Sequence, residues 1–187
     1  MSQTHPSGLQ LAYRGLRLLP DVLRSGPTGH FTAGDLLERA AARRGDAPVV
    51  RHEGRVLRYA ELNAQANRVA HCALARGIGQ GSVLGLLMEN RPEYLATWLG
   101  LAKVGAVTAL LNTNLRGPAL AHSLRTAGCD HALIGTECVD AWSSLDADAP
   151  KVELFWVRDP DGPASALPSV ASSLDDEVAG SSAENPP

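Results

Sequence analysis

Gly77, Gly79 and Gly81 are the first residues whose type and spacing suggest chemistry. Glycines at alternate positions bind the pyrophosphate of a dinucleotide when they follow a strand and begin a helix. Here the apolar pattern predicts a helix before them and a strand after them, so we interpret them as a helix-to-strand turn. The next strand-to-helix turn, residues 89–92, contains no glycine, and no GxxxxGK(S/T) loop is present. The sequence therefore argues against a Rossmann or P-loop nucleotide site.

Histidine and cysteine residues are the second set of candidates. We interpret His71 as a partly buried packing residue, because a single neighbouring cysteine makes neither a metal site nor a catalytic pair. His122 has no carboxylate three or four positions away. Cys72, Cys129 and Cys138 form no CxxC pair and are predicted to be buried free thiols. Because GxSxG and HExxH motifs are also missing, the residues alone assign no catalytic, cofactor-binding or metal-binding side chain.

The segment Asn112–Asn114 directly follows a predicted strand, at the position where open α/β sheets bind ligands. Two interpretations stay open for it. These side chains contact a ligand, or they cap the following helix and satisfy loop amides. A phospho-receiver domain would need paired carboxylates at the strand ends, and the predicted ends carry none.

The predicted helices and strands that would position these candidate residues are clearest in residues 81–117. Ser82–Met88 is a continuous apolar run, which predicts a strand covered on both faces. Ala106–Leu111 is predicted to be a second buried strand, so that strand, helix and strand form a parallel βαβ unit. The helix between them is predicted to begin with Asn90 as its cap and Glu93 closing a capping box.

The apolar stripe of that helix is predicted to face the sheet, and it consists of Leu95, Trp98, Leu99 and Ala102. Further predicted elements are helices at about 32–43, 60–76, 118–128 and 136–145, a hairpin (47–52 and 55–59, turning at Glu53-Gly54), and strands at 131–134 and 151–157. This alternation predicts an α/β fold: a mostly parallel sheet with flanking helices, right-handed crossovers and a small N-terminal hairpin.

The residue composition and apolar pattern of both ends differ from those of the centre. We therefore predict three regions: an N-terminal amphipathic segment (1–30), an α/β lobe (31–158) and a linker or tail (159–187). Within the first, residues 9–24 place leucines opposite arginines, as in an interfacial helix on an anionic membrane surface. A helix packed on its own domain or frayed at its end is the other interpretation. Residues 160–187 contain no Lys, Arg, His or aromatic residue, which predicts a linker or disordered tail.

Composition narrows the class of protein. An apolar content of 44% in 187 residues is enough for an ordinary core, and a net charge of −3 gives no electrostatic footprint for nucleic acid. The sequence shows no signal peptide and no apolar run of about 18 residues. We therefore expect a cytoplasmic protein, with peripheral contact at the inner face of the membrane as the option that residues 9–24 leave open.

The stretch MENRPEYLATWLGLAKVGAVTALLNTNLRGPALAHSL, residues 88–124, resembles the adenylate-forming (acyl-activating) superfamily. The segments ENRPEY, GLAKVGAVTALLNTNLRG and LAHSL are most similar to acyl-CoA synthetases of the fatty-acid-transport-protein type, and the resemblance extends over about 31–157. It implies that the full-length enzyme uses ATP and Mg²⁺ to convert a fatty acid to an acyl-adenylate. The acyl group then passes to coenzyme A.

The same resemblance implies that the phosphate-binding loop, a TSGTTGxPK-like stretch, lies beyond residue 187. No family site residue maps onto this sequence. We therefore expect the N-terminal portion of a fatty acid–CoA ligase, an incomplete N-terminal lobe that is inactive alone and leaves a strand edge and apolar surface uncovered. The alternative is a stand-alone non-enzymatic α/β module that binds membrane, acyl chains or a separate synthetase subunit.

Overall fold

The computed structural model describes residues 31–160 and 172–187. The chain divides into two compact units, Met1–Thr32 and Ala33–Pro187, and the helices and strands given below all belong to the second. The predicted amphipathic segment 9–24 lies outside the described residues, as does 161–171 of the predicted linker.

The second unit alternates helices and strands. Its elements are α1 (Ala33–Arg44), β1 (Pro48–His52), β2 (Arg55–Arg58), α2 (Tyr59–Ala75), β3 (Val83–Leu87), α3 (Pro92–Lys103), β4 (Val107–Leu110), α4 (Gly117–Ala127), β5 (His131–Gly135), a 3₁₀ turn (Thr136–Cys138), α5 (Val139–Ser143), β6 (Glu153–Val157), β7 (Ser172–Ser173) and α6 (Asp175–Gly180). As far as β6, these helices and strands follow one another in the predicted order; β7 and α6 were not predicted. The predicted α/β class is confirmed. No helix of the described ranges combines the length and apolarity that crossing a bilayer requires.

Strands β1 and β2 form the predicted antiparallel hairpin, in which His52 pairs with Arg55. The two residues between them, Glu53 and Gly54, both have positive φ angles, 46° and 80°. Two left-handed residues in succession are typical of the tight turn whose twist matches that of a β-ribbon, and glycine adopts this conformation without steric cost.

The remaining strands form one parallel sheet in the order β4-β3-β5-β6-β7. Apolar side chains fill the inner strand β3, where Leu84, Leu86 and Leu87 are fully buried. The prediction that the next strand is equally buried is wrong: Val107 and Leu110 of β4 are 57% and 49% exposed. Strand β4 lies at the edge of the sheet, so neighbouring strands and helices cover its faces only in part.

Helices cover both faces of the sheet. Alternate side chains of a strand point to opposite faces, so in β6 Phe155 and Trp156 enter two different apolar clusters. Phe155 packs in the cluster beneath α2, α3 and α6, whereas Trp156 packs with Leu120 and Leu124 of α4. A third cluster joins the hairpin to α1, α2 and α3.

Helices α2 and α3 pack very closely at Gly100. A Cβ atom added there would lie 2.5 Å from the Ala66 carbonyl oxygen and 2.7 Å from Val69 Cβ. The predicted sheet-facing stripe of α3 is therefore wrong in part, because the residues buried within this helix are Pro92, Ala96, Thr97, Gly100 and Leu101. Small residues occupy the face towards α2, and the predicted Leu95 and Leu99 pack on the hairpin cluster instead.

The start of α3 also differs from the prediction. Its N-cap residue is Arg91, not Asn90, and no side chain caps it. Pro92 occupies the first turn as expected, because its missing amide hydrogen needs no partner there. Thr136 likewise does not cap one long helix: Gly135 precedes a 3₁₀ turn that continues into the short α5.

The C-terminal residues 172–187, part of the region predicted to be a linker or disordered tail, include a short strand and a short helix that pack on the lobe. Strand β7 pairs with β6, and Leu174 is only 7% exposed. Beyond α6, the Asn67 amide of α2 donates to the Ala183 carbonyl at 2.7 Å, and His71 Nε2 lies 3.0 Å from the Glu184 carbonyl oxygen. The composition of this segment does not indicate such packing, because the contacts that hold it are hydrogen bonds from polar side chains of α2 to its backbone carbonyls.

Candidate functional site

The carboxyl ends of β3, β5 and β6 meet around Arg91, whose residue is 6% exposed. Its Nε lies 3.3 Å from Glu137 Oε1, its Nη2 lies 3.3 Å from Glu137 Oε2, and its Nη1 lies 3.2 Å from Glu93 Oε2. The guanidinium also donates to the carbonyls of Val157 and Arg158 at 3.2 and 3.1 Å. One buried cation thus ties together segments that follow three strands.

Glu137 completes this network, which we call the Arg91 network. Its Oε1 also accepts a hydrogen bond from the Glu89 amide at 2.9 Å, immediately after β3. A Cβ atom on Gly135 would lie 2.2 Å from the same oxygen, so any larger residue at this position would displace the Glu137 carboxylate from its place over the strand end. Because its carboxylate is committed to Arg91 and a backbone amide, we assign Glu137 a structural role and not that of a general base.

Asn112 and Asn114 lie at the same edge of the sheet, after β4, and both are exposed. The Asn112 side chain accepts a hydrogen bond from the Asn114 amide at 2.9 Å. Neither asparagine caps α4, since the Gly117 amide donates to Ser144 Oγ at 2.8 Å. Of the two interpretations, the contacts support stabilisation of the loop.

The cysteines of the described unit are free and buried, as predicted. Burial, followed by the neighbouring Glu177 carboxylate, raises the pKa of the Cys72 thiol, whose sulfur lies 3.7 Å from Glu177 Oε2. Burial raises the pKa of Cys138 to about 12. These thiols are therefore protonated at neutral pH, the form that is neither nucleophilic nor metal-binding.

A cavity of about 420 Å³ lies between the sheet and helices α2, α3 and α6. Its apolar lining comes from elements far apart in the chain: Val69, Cys72, Ala73, Ile78, Leu84, Ala96, Leu101, Leu133, Phe155, Val157, Leu174, Val178 and Ala179. No pattern in the sequence indicates this cavity. Most of these apolar residues have the spacing expected of a buried position in their own helix or strand. The space between them results from how far apart the elements pack, which spacing along the chain does not show.

Polar side chains also line the cavity, among them Arg68, Arg76 and Thr97. Arg76 binds the Glu177 carboxylate with two hydrogen bonds of 2.9 and 2.5 Å, and its guanidinium carbon lies 4.6 Å from the Phe155 ring centroid. Within residues 31–160 and 172–187, Arg68 forms no hydrogen bond or ion pair. Thr97 is only 3% exposed.

Comparison with known proteins adds what the geometry alone does not give. The family model described as "AMP-binding enzyme" matches residues 37–187, most of the chain. The chain belongs to the AMP-binding enzyme family. The adenylate-forming resemblance is thereby confirmed.

Relatives within the AMP-binding family have names that refer to fatty acids. The chain is 37% identical over 145 residues to "Long-chain fatty acid transport protein 1" of Rattus norvegicus, covering 74% of this chain and 22% of that protein. It is 30% identical over 173 residues to the "Medium/long-chain-fatty-acid--CoA ligase FadD6" of Mycobacterium tuberculosis, covering 86% of this chain and 29% of the relative. The chain thus spans between a fifth and a third of the length of these relatives.

Solved structures of CoA ligases share the fold. The N-terminal domain of FACL13 from Mycobacterium tuberculosis superposes with a TM-score of 0.68 at 27% identity, covering 83% of this chain and 37% of that one. The anthranilate CoA ligase AuaEII gives a TM-score of 0.71 at 22% identity, covering 82% and 29%. This chain therefore corresponds to part of the N-terminal domain of such AMP-binding enzymes, as the predicted incomplete lobe required.

Proposed function

We propose that this chain is the N-terminal part of an ATP-dependent fatty acid–CoA ligase. In the complete protein the reaction would form an acyl-adenylate from a fatty acid and then transfer the acyl group to coenzyme A. The observation that carries the proposal is the family match over residues 37–187 together with a fatty acid–CoA ligase as a relative over 86% of this chain.

A fatty acid is the favoured acid on the strength of the relatives. The fatty acid transport proteins reach 37% identity, whereas the hydroxybenzoate–CoA ligase of Thauera aromatica is 28% identical over 125 residues. Since the chain covers only a fraction of each relative, the activity is proposed for the complete protein and not for residues 1–187 in isolation.

Among the described residues we find no site that fits Mg²⁺ or the phosphate groups of ATP and coenzyme A. Within 31–160 and 172–187, no three His, Cys, Asp or Glu side chains converge on a position for a metal ion. The turn after β3, residues 89–92, has no glycine to bring backbone amides close to a phosphate, and its amide at Glu89 is already bonded to Glu137. We therefore assign these groups to the complete enzyme and route no step through this chain.

This lobe instead supplies a scaffold. The Arg91 network holds the ends of three parallel strands at the edge where open α/β sheets bind ligands. Residues 183–185 lie along α2, where the Asn67 side-chain amide donates to the Ala183 carbonyl at 2.7 Å and to Asn185 Oδ1 at 3.0 Å.

Two measurements test the proposal. Reading the coding DNA beyond codon 187 is expected to reveal a TSGTTG-type loop in the same or a shifted frame. A stop with no such loop downstream would overturn the ligase proposal and favour the stand-alone module. Purified residues 1–187 are expected to show no fatty-acid-dependent exchange of pyrophosphate into ATP, and exchange by this chain alone would contradict the assignment of chemistry to other segments.

Peripheral membrane contact through residues 9–24 is a separate part of the proposal. Its support is the opposition of leucine and arginine positions in the sequence. Flotation with anionic liposomes is expected to carry the full chain but not a variant lacking residues 1–28. Equal flotation of the two proteins would refute membrane contact through this segment.

A further inference from the structure

We propose that Cys72 is a cryptic modification site: α6 masks its sulfur, and when α6 detaches the sulfur forms a mixed disulfide with a small disulfide molecule. Residues 172–187, which we call the C-terminal strap, include α6. Every group involved belongs to this lobe, so the inference does not depend on the ligase reaction. Failure of either proposal would leave the other standing.

The strap places a carboxylate against the thiol. Cys72 is 4% exposed, and its Sγ lies 3.7 Å from Glu177 Oε2. Burial, followed by the charge of Glu177, raises the pKa of this thiol, whereas Arg76 lowers it. When α6 detaches, the carboxylate and the burial that α6 provides are removed together, but Arg76 stays one turn away on the same face of α2. Detachment therefore shifts Cys72 towards the reactive thiolate.

The other charged groups around this cavity do not reverse the effect. Asp175 belongs to α6 and would leave with it. The Glu93 carboxylate lies 3.2 Å from a buried guanidinium nitrogen, which balances its charge. Glu153 of β6 lies 3.7 Å from Arg76 Nη1, but its side chain is 59% exposed and therefore well solvated. Arg68 is a second cation of the lining, so the opened site keeps a positive environment that favours a thiolate.

The strap is attached at few positions, so it can open while the lobe stays folded. Helix α6 has six residues, none of them buried, and β7 pairs with β6 through two residues. Among the described residues of the strap, Leu174 is the one buried apolar side chain. The Glu177 side chain is 47% exposed in its ion pair with Arg76, and exposed pairs contribute little in water. Segments with so few buried contacts open locally at a smaller free-energy cost than global unfolding.

The cavity beside the sulfur provides room for the transferred group. Cys72 lines this cavity of about 420 Å³, which lies within the usual range for small-molecule sites of about 300–1,000 Å³. Thr97 also lines it and is 3% exposed, and within the described ranges its hydroxyl forms no hydrogen bond. A buried hydroxyl without a partner costs free energy, which a ligand with a polar end would offset. The cavity therefore suits a short thiol that ends in a polar group.

The chemical step is a thiol–disulfide exchange, which needs no oxidant other than the small disulfide. In the open form the Cys72 thiol loses its proton to solvent, and the thiolate attacks one sulfur of the small molecule. The S–S bond of that molecule breaks, a new S–S bond forms to Cys72, and the other half leaves as a thiolate that takes up a proton. Because Glu177 packs against the same sulfur in the closed form, the bound half opposes the return of α6.

The test uses the full chain and compares its three cysteines within one protein. The chain is incubated without urea with bis(2-hydroxyethyl) disulfide at about pH 8, and the adducts are located by peptide mass mapping. We expect Cys72 to react at least about tenfold faster than Cys129 and Cys138, which pack with α4 in the other cluster and need wider unfolding to react. Low urea concentrations should change the Cys72 rate little, because local opening exposes little surface.

Three variants test the parts of the site. Glu177→Gln removes the charge that faces the sulfur, so Cys72 should react about tenfold faster. Asp176→Asn, the matched control, makes the same change at an exposed position of α6 and should leave the rate unchanged. Thr97→Val removes the hydroxyl of the lining, so the exchange equilibrium with 2-mercaptoethanol should shift about fivefold towards the free Cys72 thiol.

Amide hydrogen exchange reports on α6 itself. In the protein that carries the adduct, the amides of residues 175–180 should exchange faster than in the free protein, and those of α4 should not change. Equal exchange of α6 with and without the adduct would overturn the release of this helix.

Other outcomes also overturn the proposal. If Cys72 reacts no faster than Cys138, or if its rate rises with urea as steeply as global unfolding does, the thiol is not uncovered by local opening. Equal Cys72 rates in Glu177→Gln and Asp176→Asn would exclude masking by Glu177. An unchanged exchange equilibrium in Thr97→Val would exclude the cavity as the place of the bound group.

Discussion

Arg91 and Glu137 form an ion pair beneath the carboxyl edge of the sheet, with the Arg91 side chain only 5% exposed and that of Glu137 15%. The two residues lie in different βα connections, one after β3 and one after β5. A buried charge is tolerated only when it is paired and hydrogen-bonded. Here the hydrogen bonds to backbone groups also hold the segments that follow β3 and β6 in place. The Arg91 network therefore couples strand ends that the sheet hydrogen bonds alone leave free.

Replacement of Arg91 by Met is expected to destabilise the fold by about 3–5 kcal/mol, because it leaves Glu137 withdrawn from water without its partner. Urea unfolding followed by circular dichroism measures the loss. Arg125→Met, at an exposed position of α4, is the control and should cost less than about 0.5 kcal/mol. An Arg91→Met variant as stable as the parent would show that the network contributes nothing to stability.

Gly100→Ala tests the contact between α2 and α3. The new methyl group would lie 2.5 Å from the Ala66 carbonyl oxygen, so we expect the helices to move apart at a cost of about 1–3 kcal/mol. Gly79→Ala is the matched control, since its nearest neighbour would be 3.6 Å away. Thermal melts of both variants give the comparison, and equal melting temperatures would contradict the close packing.

The pH dependence of stability follows from the buried thiols. Burial raises the pKa of Cys138 to about 12, and it raises the pKa of Cys72 and Cys129 as well. An unfolded thiol ionises at about pH 8.5, so the contribution of each buried thiol to stability is complete below that pH. It is lost as pH rises towards the folded pKa, by about 1.4 kcal/mol per pH unit for each thiol.

Lys103 acts in the opposite direction. Burial lowers the pKa of this amine, with Glu38 opposing the shift, so its own contribution rises with pH. We expect the thiols to dominate, because three of them act together, and predict a steady loss of stability between about pH 8.5 and 10. Urea titrations at several pH values check this, and Cys138→Ala should give a shallower slope. A flat profile up to pH 10 would contradict the burial of these thiols.

Strand β4 provides a prediction about association. Its outer edge has no neighbouring strand in the sheet of the described residues, and Val107 is 57% exposed. We expect the chain to bind a hydrophobic dye or to self-associate, and Val107→Lys to reduce both effects, since a charge on an edge strand opposes strand pairing. Leu74→Lys, at a 41% exposed position of α2, is the control. A dye-silent, monodisperse monomer with a cooperative melt would argue against an incomplete lobe.

Most of the secondary structure was predictable because it depends on residues close together in the chain, such as apolar spacing and turn glycines. The stripe of α2, residues Leu62, Ala66, Val69, Ala70 and Ala73, is buried throughout, as its helical spacing requires. The hairpin turn follows from the conformational freedom of Gly54, and α4 ends at Gly128, whose φ is 66°. The buried face of α3 was mispredicted because close contact with α2 favours Gly100 and Ala96 over the larger leucines.

The sequence by itself determined the α/β class, the order of the elements and, through residues 88–124, the enzyme family. These properties depend on periodicity and on motifs that are contiguous in the chain. Only the tertiary structure decided that β4 is an edge strand, that residues 172–187 pack on the lobe, that Arg91 joins three strand ends and that a cavity lies beside Arg68. Each of these depends on distances between residues far apart in sequence, which hydrophobic spacing does not encode.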